Sequence, residues 1–377
     1  MHEFDLYLFE RGMSSKIPGI PRDFPGFIFP FWGDFYSIDF IVTSFYGIAD
    51  EPVFYLNQRE YRVALSLMER WESIKLDLVI AQNGYENLVN HVKKGKSEYV
   101  FLMSTSQVLF IDLIGYRENF SLNRDGIFKL SIDDTPVDAY IAGKRKLLKL
   151  LRKYKRLFEN GDNFSKILFD DVLLTNMDTF ENIPGLLLFS NSIDQLYDNN
   201  RLIIAKFGKK HVEPIFKRLL DVVNVASESH ITGEGEVIDS YIAGDVTVSG
   251  RVVNSVIFKN VSIEKNAEIV DSVVMNGNAI DSKSIIEKSL LFPYLKENKT
   301  GNFNIGKNVR IGNRKSDANN IDFPSQICKG IAVIGVNNEI PSSFVAEAGS
   351  YVAPNVAMNL FREKRILKRG STLKNDI

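Results

Sequence analysis

From Asp239 onward, apolar residues of this chain recur in runs with a step of six, and no other feature narrows its fold as far. Ile242 and Val248 open the series, Ile257, Ile263 and Ile269 continue it, and Ile280 and Ile286 follow. A four-residue phrase returns beside it: Asp239-Ser240-Tyr241-Ile242, Asn254-Ser255-Val256-Ile257, Asp271-Ser272-Val273-Val274 and Lys288-Ser289-Leu290-Leu291. Its serines stand 15, 17 and 17 residues apart. A six-residue step is one flat side of a triangular coil, and about 18 residues close a turn, so inward aliphatics stack in columns. Gly244, Gly250, Asn260, Asn266 and Asn276 fall near the corners, where small or turn-forming residues allow sharp bends. The competing reading is an antiparallel sandwich with chance spacing. Four returns of one phrase, with matching aliphatics between them, speak against it. The pattern predicts a left-handed parallel β-helix of hexapeptide repeats over residues 236–360. Residues 292–304 and 312–327 read as polar insertions, and 361–377 as a loose basic tail.

The preceding half has a different rhythm. Short apolar runs at 53–56, 78–81, 99–103 and 186–189 read as strands, and 61–71, 85–94 and 144–158 read as helices. Strands alternating with helices predict a mostly parallel, Rossmann-like α/β sheet over residues 1–225. The basic run within 144–156 invites a nucleic-acid partner. Leu147, Leu148 and Leu151 line its other face and Tyr154 is its one ring, so a solvated helix face is the better reading. Over the chain, 46 basic and 47 acidic residues leave a net charge of −1, which gives no reason to expect nucleic acid or a membrane surface. The single cysteine, Cys328, excludes an internal disulfide and, with four histidines, makes a zinc site a poor expectation. The aromatic stretch 27–48 contains Asp34 and Asp39 and is too interrupted to span a bilayer. No signal peptide is visible, and a cytoplasmic setting is the expectation.

The segment Phe31-Trp32-Gly33-Asp34-Phe35-Tyr36-Ser37-Ile38-Asp39-Phe40, after Pro30, resembles the Phe-Gly-Gly-x-Tyr-Arg-x-Ile-Asp-Phe signature of glucose-1-phosphate adenylyltransferases (ADP-glucose pyrophosphorylases). Residues 99–112 resemble that family's strand and turn bearing Gly-Asp-His. Ser192-Ile193-Asp194-Gln195-Leu196-Tyr197 resembles its Thr-Ile-Asp helix start, and 253–272 its first β-helix coils. The resemblance implies transfer of an adenylyl group from ATP to glucose 1-phosphate. That chemistry needs amides cradling the triphosphate, a cation against it, and carboxylates holding magnesium.

The departures fall on those parts. The strand at 6–9 runs into Glu10-Arg11-Gly12-Met13-Ser14-Ser15-Lys16, with one glycine and a glutamate expected to repel phosphate. Gly26 stands at the family's lysine and Tyr36 at its signature arginine. Ser106 and Phe189 align with the two metal aspartates, and Asn83-Gly84-Tyr85-Glu86-Asn87 replaces Gly-Thr-Ala-Asp-Ala. Asp112, Asp133 and Asp134 are the substitutes a shifted alignment offers, each better read as a surface or capping aspartate. The resemblance therefore implies no catalytic or metal residues, only the degenerate equivalents Gly26, Tyr36, Ser106 and Phe189. It points to a regulatory subunit of ADP-glucose (glycogen) synthesis, partnered by a catalytic adenylyltransferase homologue or a second copy. A sugar-phosphate effector is expected near the domain junction, with Lys16, Arg22, Lys307 and Arg310 as candidate anion contacts. The rings between Phe24 and Tyr46 are expected to fill the core, with part left for a subunit interface. No cofactor is expected; ATP and magnesium enter only if the alternative, an active transferase with divergent ligands, holds. A hexapeptide acyltransferase is the second alternative. It needs a histidine base on a coil, whereas His2, His91, His211 and His230 all precede the repeats as delimited above.

Overall fold

The computed structural model describes residues 4–11, 18–20, 24–49, 51–111, 125–160, 163–189, 192–204, 206–225, 228–296 and 303–375. Within its first half, the apolar runs form strands β1 (Phe4–Phe9), β2 (Val53–Leu56), β3 (Asp77–Ile80), β4 (Tyr99–Ser104), β5 (Val108–Ile111), β6 (Ile127–Ile132), β7 (Thr135–Gly143), β8 (Thr179–Asn182) and β9 (Gly185–Phe189). Seven of them make one sheet in the order β3-β2-β1-β4-β7-β6-β8, while β5 and β9 pair separately. β3, β2, β1 and β4 run parallel, β7 is antiparallel to both neighbours, and β8 is parallel to β6. Both faces of the sheet are covered, which is why β1, β2 and β4 read as unbroken apolar runs. Leu6, Leu8, Phe54 and Phe101 pack with Phe40 and Ile41 of the helix Ser37–Phe45. The alternate residues Tyr7, Phe9, Tyr55 and Leu102 pack with Leu88 and Val92 of Gly84–Lys94 and with Leu147 and Leu151 of Lys144–Lys153. The helix expected over 61–71 is Gln58–Leu65 followed by a 3-10 turn, and the one over 144–158 breaks at Tyr154.

Asp133 and Asp134 join β6 to β7 with φ of 47° and 62°. Two successive left-handed residues are what a tight hairpin turn demands, and aspartate tolerates them. Their place is the turn itself, and among the described residues neither belongs to a group of side chains that could hold a metal. Asp112 lies outside the described residues.

The second half is a parallel β-helix of three stacked sheets. Its serine phrase is a corner device. Asp239, Asn254, Asp271 and Lys288 take φ of 45°, 47°, 50° and 46°, turning the chain immediately before each serine. Each serine hydroxyl donates to the carbonyl two residues back, at 2.7 to 2.8 Å. It also accepts the amide of the next coil's serine: Ser255, Ser272 and Ser289 donate to Ser240, Ser255 and Ser272 at 3.1, 3.0 and 3.2 Å. The ladder satisfies buried polar groups that the corner takes out of the sheets. Val248, Ile257, Ile263, Ile269, Ile280 and Ile286 all lie in the coil interior, as the six-step predicts. The helix begins at His230–Ile231 and ends at Thr372–Leu373, so 236–360 is too narrow at both ends. His230 sits on the first coil, and the supposed loose tail is the last coil, with Leu367 and Leu373 inward and basic residues outward.

Inside each phrase two apolar residues stand in succession, because both faces of that sheet are buried. Ile257, Val274, Leu291, Ile334 and Val352 face the coil interior. Their neighbours Val256, Val273, Leu290, Val333 and Tyr351 join the core of the α/β domain. The aromatic signature sits at this junction. Trp32, Phe31, Phe35, Phe40 and Phe45 are fully buried, and the exposed ring of that run is Tyr46, at 42%. The expected surplus for a subunit interface is therefore absent: these rings fill the core between the two domains. Asp34 accepts the Gly244 amide at 3.2 Å, and at Gly33 (φ 65°) any Cβ would strike the Tyr241 ring. The insertions contribute too, through buried Phe292 and Ile327.

The helix Ile193–Arg201, capped by Ser192, holds the same junction from the side. Arg201 pairs with Asp271 at 3.3 Å, and the Tyr197 hydroxyl donates to the Asp271 carbonyl. Asp194 accepts from the Cys328 amide at 3.0 Å and from its thiol at 2.6 Å. That bond to a carboxylate, and then partial burial, raises the thiol's pKa. Cys328 is exposed and still expected to be a slow nucleophile, because less thiolate is present at any pH below the raised value. Labelling with a disulfide reagent at pH 7 to 8 is expected to run well below the rate of a free cysteine and to accelerate in Asp194→Asn; equal rates in the two proteins would overturn this assignment.

Candidate functional site

Where strand order reverses between β1 and β4, an α/β sheet leaves a crevice beyond the carboxyl ends of its strands. Here a cleft of about 1160 Å³ opens there, over the ends of β1, β2 and β3. Three helical segments start at its wall, and their free amides would suit an anion. Two of them are closed by the chain itself. Asn57 accepts the Arg59 and Glu60 amides at 2.9 Å while Glu60 returns a bond to the Asn57 amide at 2.8 Å; Asn163 accepts the Lys166 amide at 3.0 Å. Burial raises the Glu60 carboxyl above its ordinary range, against the Asn57 bonds. The third start, at Gly84, carries Glu86 in its first turn.

Glu10 does not project a charge at a phosphate. It turns inward after β1 and accepts the Gly26 and Phe27 amides at 2.7 and 3.0 Å and the Thr105 hydroxyl at 2.5 Å. The expected repulsion is corrected accordingly: the carboxylate is itself the anion held by an amide pair. Gly26 is sealed inside this arrangement, with its carbonyl accepting from Ser37. Arg11 is equally engaged. Its guanidinium grips both oxygens of Asp170 at 2.8 and 2.9 Å, reaches Asp138 at 3.3 Å, and lies over the Phe169 ring. Asp170 belongs to a π-helical stretch, Ile167–Leu173, of the kind often found at functional sites. Asp138, on β7, also accepts from the Ser106 hydroxyl at 3.1 Å, and Ser106 accepts from Ser104 at 2.9 Å.

This network tests the magnesium that the resemblance implies. Magnesium takes carboxylate and other oxygens in near-octahedral array. Ser106 offers a hydroxyl, Asp138 and Asp170 are bridged by a guanidinium, and no group of three acidic, histidine or cysteine side chains that could hold a metal exists among the described residues. The residues do not fit the ion. Charge agrees. Among the described residues the cleft is lined by Arg11, Arg59 and Lys166 against Glu10, Glu60, Glu86, Glu159 and Asp170, three cations against five acids.

The remaining expectations fall elsewhere. Tyr36 lies at the junction, not in the cleft, with the Arg70 guanidinium and the Lys259 ammonium each 4.8 Å from its ring. Phe189 pairs with Val108 at the end of β9, and its side chain lies outside what is described. Lys16 and Arg22 also lie outside the described residues. Lys307 and Arg310 are exposed on the β-helix, with Arg310 stacked between Ile285 and Val345 on a sheet other than the junction sheet. Arg11, Asp138 and Asp170 were missed. They are 127 and 159 residues apart, and no local spacing joins them.

Residues 225–339 match the family described as GlmU-like, C-terminal hexapeptide. Over 189 residues, 48% of this chain, the sequence is 27% identical to a glucose-1-phosphate adenylyltransferase of Acetivibrio thermocellus. That alignment covers 42% of the relative, so the chain spans less than half the length of the curated protein it matches. The chain is thus a nucleotidyltransferase-like α/β domain followed by a left-handed β-helix of hexapeptide repeats. Among its described residues no helix is long and apolar enough to cross a membrane.

Proposed function

We propose that this chain is a non-catalytic homologue of glucose-1-phosphate adenylyltransferase that acts in the cytoplasm as a regulatory partner in ADP-glucose (glycogen) synthesis. One observation carries the reading. At the place where the resemblance puts a metal carboxylate, Ser106 donates to Asp138, and Arg11 ties Asp138 to Asp170. With Arg11 tied to two carboxylates, and acids outnumbering cations along the described lining, this site is poorly equipped to stabilise a phosphoryl transition state. The parts kept intact are those that weld the two domains: the aromatic signature and the helix starting at Ser192. The partner is a catalytic adenylyltransferase homologue or a second copy of this chain. A phosphorylated effector would bind outside the acidic cleft, and the coil bearing Lys307 and Arg310 is the described candidate.

Purified chain mixed with ATP, glucose 1-phosphate and magnesium is expected to release no pyrophosphate. Turnover in the usual enzyme range of about 1–1000 per second would overturn the reading. One observation favours the alternative of an active transferase with divergent ligands: the Asp138 carboxylate lies 3.1 Å from Ser106 Oγ. The same assay decides between them. The partner is tested by co-expression with a catalytic homologue and size-exclusion chromatography, where co-elution with altered kinetics is expected. Separate elution with unchanged kinetics would remove the regulatory role.

A further inference from the structure

The charges of this chain cancel in sum and are segregated in place. Over residues 144–156, eight lysines and arginines stand without one acid, and the fold sets more cations beside them. The helix Lys144–Lys153 buries Leu147, Leu150 and Leu151, while Arg145, Lys149 and Arg152, spaced three or four apart, share its exposed side. The neighbouring helix Gly84–Lys94 packs on it through Leu88 and Val92 and ends in Lys93 and Lys94, with Lys96 just beyond. Lys144 donates to the Gly95 carbonyl at 2.5 Å, which fixes the two helix ends side by side. Together, residues 84–98 and 144–160 hold eleven cations against three acids, Glu86, Glu98 and Glu159. Like charges crowded on one surface repel one another, and an acidic surface brought against them relieves that repulsion.

The opposite sign gathers on the first coil of the β-helix. Residues 228–245 contain five acids, all exposed, and no lysine or arginine. Glu234 and Glu236 meet Lys265 and Arg251 at 2.9 and 2.8 Å, in exposed pairs that are worth little in water. Three sheets also end here. The strands His230–Ile231, Glu236–Ile238 and Tyr241–Ile242 each pair with one strand only, on the following coil, and Ile231 is 53% exposed. Strand edges of this kind are surfaces to which another chain adds. Within one chain the two charged surfaces stay apart, because the basic helices cover the sheet face opposite the core shared with the β-helix.

We propose that the basic helix face of one copy docks on the acidic first coil of a second copy. Neither face can meet its own like across a two-fold axis, so the contact is heterologous, head to tail. A net charge of −1 leaves little long-range repulsion to hold the copies apart. The proposal rests on the partner reading in its second-copy form, to which it assigns a surface, and it needs no catalytic homologue.

Analytical ultracentrifugation on the full chain tests this at about 0.1 M and about 1 M salt, where the screening length falls from about 10 Å to about 3 Å. Self-association is expected to weaken about tenfold or more at the higher salt. At the lower salt, Lys149→Glu combined with Arg152→Glu should weaken it by about as much. Glu228→Lys combined with Glu234→Lys should do the same from the other side, and keeps the test open if the first variant fails to fold by circular dichroism. Mixing the two reversed variants should restore association, since the acidic helix face of one then meets the basic coil of the other. Misfolding cannot mimic that rescue. A chain that is monomeric at the lower salt, an association indifferent to salt, reversed variants that associate like the unaltered chain, or two folded reversed variants that stay apart when mixed would each overturn the proposal. So would a monomer whose helix face instead holds duplex DNA or phosphatidylglycerol vesicles. Co-elution with a catalytic homologue is a separate measurement, so the two readings fail separately.

Discussion

Replacing Ile263 with aspartate is expected to cost about 3–5 kcal/mol of stability and to unravel the coils around it, because the new charge has no partner in a dry interior. Ile263 is 1% exposed and sits in one column between Val248 on the coil before and Ile280 on the coil after. A coil contacts only its neighbours, so the damage should start locally and spread along the stack. Ile263→Val, which removes one methylene without adding a charge, should cost only about 0.5–1.5 kcal/mol. Ser262 precedes it on the same strand with its side chain on the other face, so Ser262→Asp is the matched control and should change little. Denaturant melts followed by circular dichroism, with hydrogen exchange on residues 246–291, would report the difference. An unchanged melt for Ile263→Asp, or equal losses at 262 and 263, would show that the inward register is wrong.

The interior of the β-helix was legible because a period of six has a single geometric meaning once aliphatics hold it over several coils. Its ends were not, for a physical reason. The first coil opens with exposed His230 and Ile231, ahead of the Asp239-Ser240-Tyr241-Ile242 phrase on the same coil, so the phrase does not mark where the coil starts. The last coil places Lys364, Arg365, Lys368 and Arg369 outward, and composition alone makes that look like a tail. The junction was visible in principle. In Thr247-Val248 and Ser262-Ile263 polar and apolar residues alternate, as a one-sided sheet requires, whereas Val256-Ile257 and Leu290-Leu291 are apolar twice over. That doubling marks the sheet covered by another domain.

The cleft was harder to read. Which way Glu10 points depends on the Gly26 and Phe27 amides, brought to it by a turn sixteen residues on. Residue type announced a charge at the loop, and only folding shows that the charge is consumed. The union of Arg11 with Asp138 and Asp170 is a contact across the whole domain and has no period to betray it. Gly26 and Ser106 could be singled out because a motif fixes position. The bonds they make could not, because those follow space and not sequence.

The same logic locates the second large effect, at Asp39. This carboxylate is 0% exposed, a burial that only full pairing makes tolerable. One oxygen accepts the Tyr36 amide and the Arg70 guanidinium, both at 2.7 Å, and the other accepts the Trp71 indole, also at 2.7 Å. Arg70 in turn donates to the Asp34 carbonyl at 2.7 Å and lies over the Tyr36 ring, while the Asp34 side chain holds the Gly244 amide of the β-helix. Arg70→Met keeps the aliphatic stem but leaves Asp39 charged and buried with two neutral donors, which is expected to cost about 3–5 kcal/mol. Asp39→Asn combined with Arg70→Met removes both charges at nearly constant volume and should recover a large part of that loss, since a buried pair is worth little over a neutral replacement. Because the lost contacts hold Asp34 and Tyr36 against the coils, the single variant should also loosen the junction. Limited proteolysis between residues 222 and 230 should accelerate in Arg70→Met and return toward the unaltered rate in the double variant. If the single variant melts like the unaltered chain, or the double variant is worse than the single, Asp39 and Arg70 do not hold the domains together.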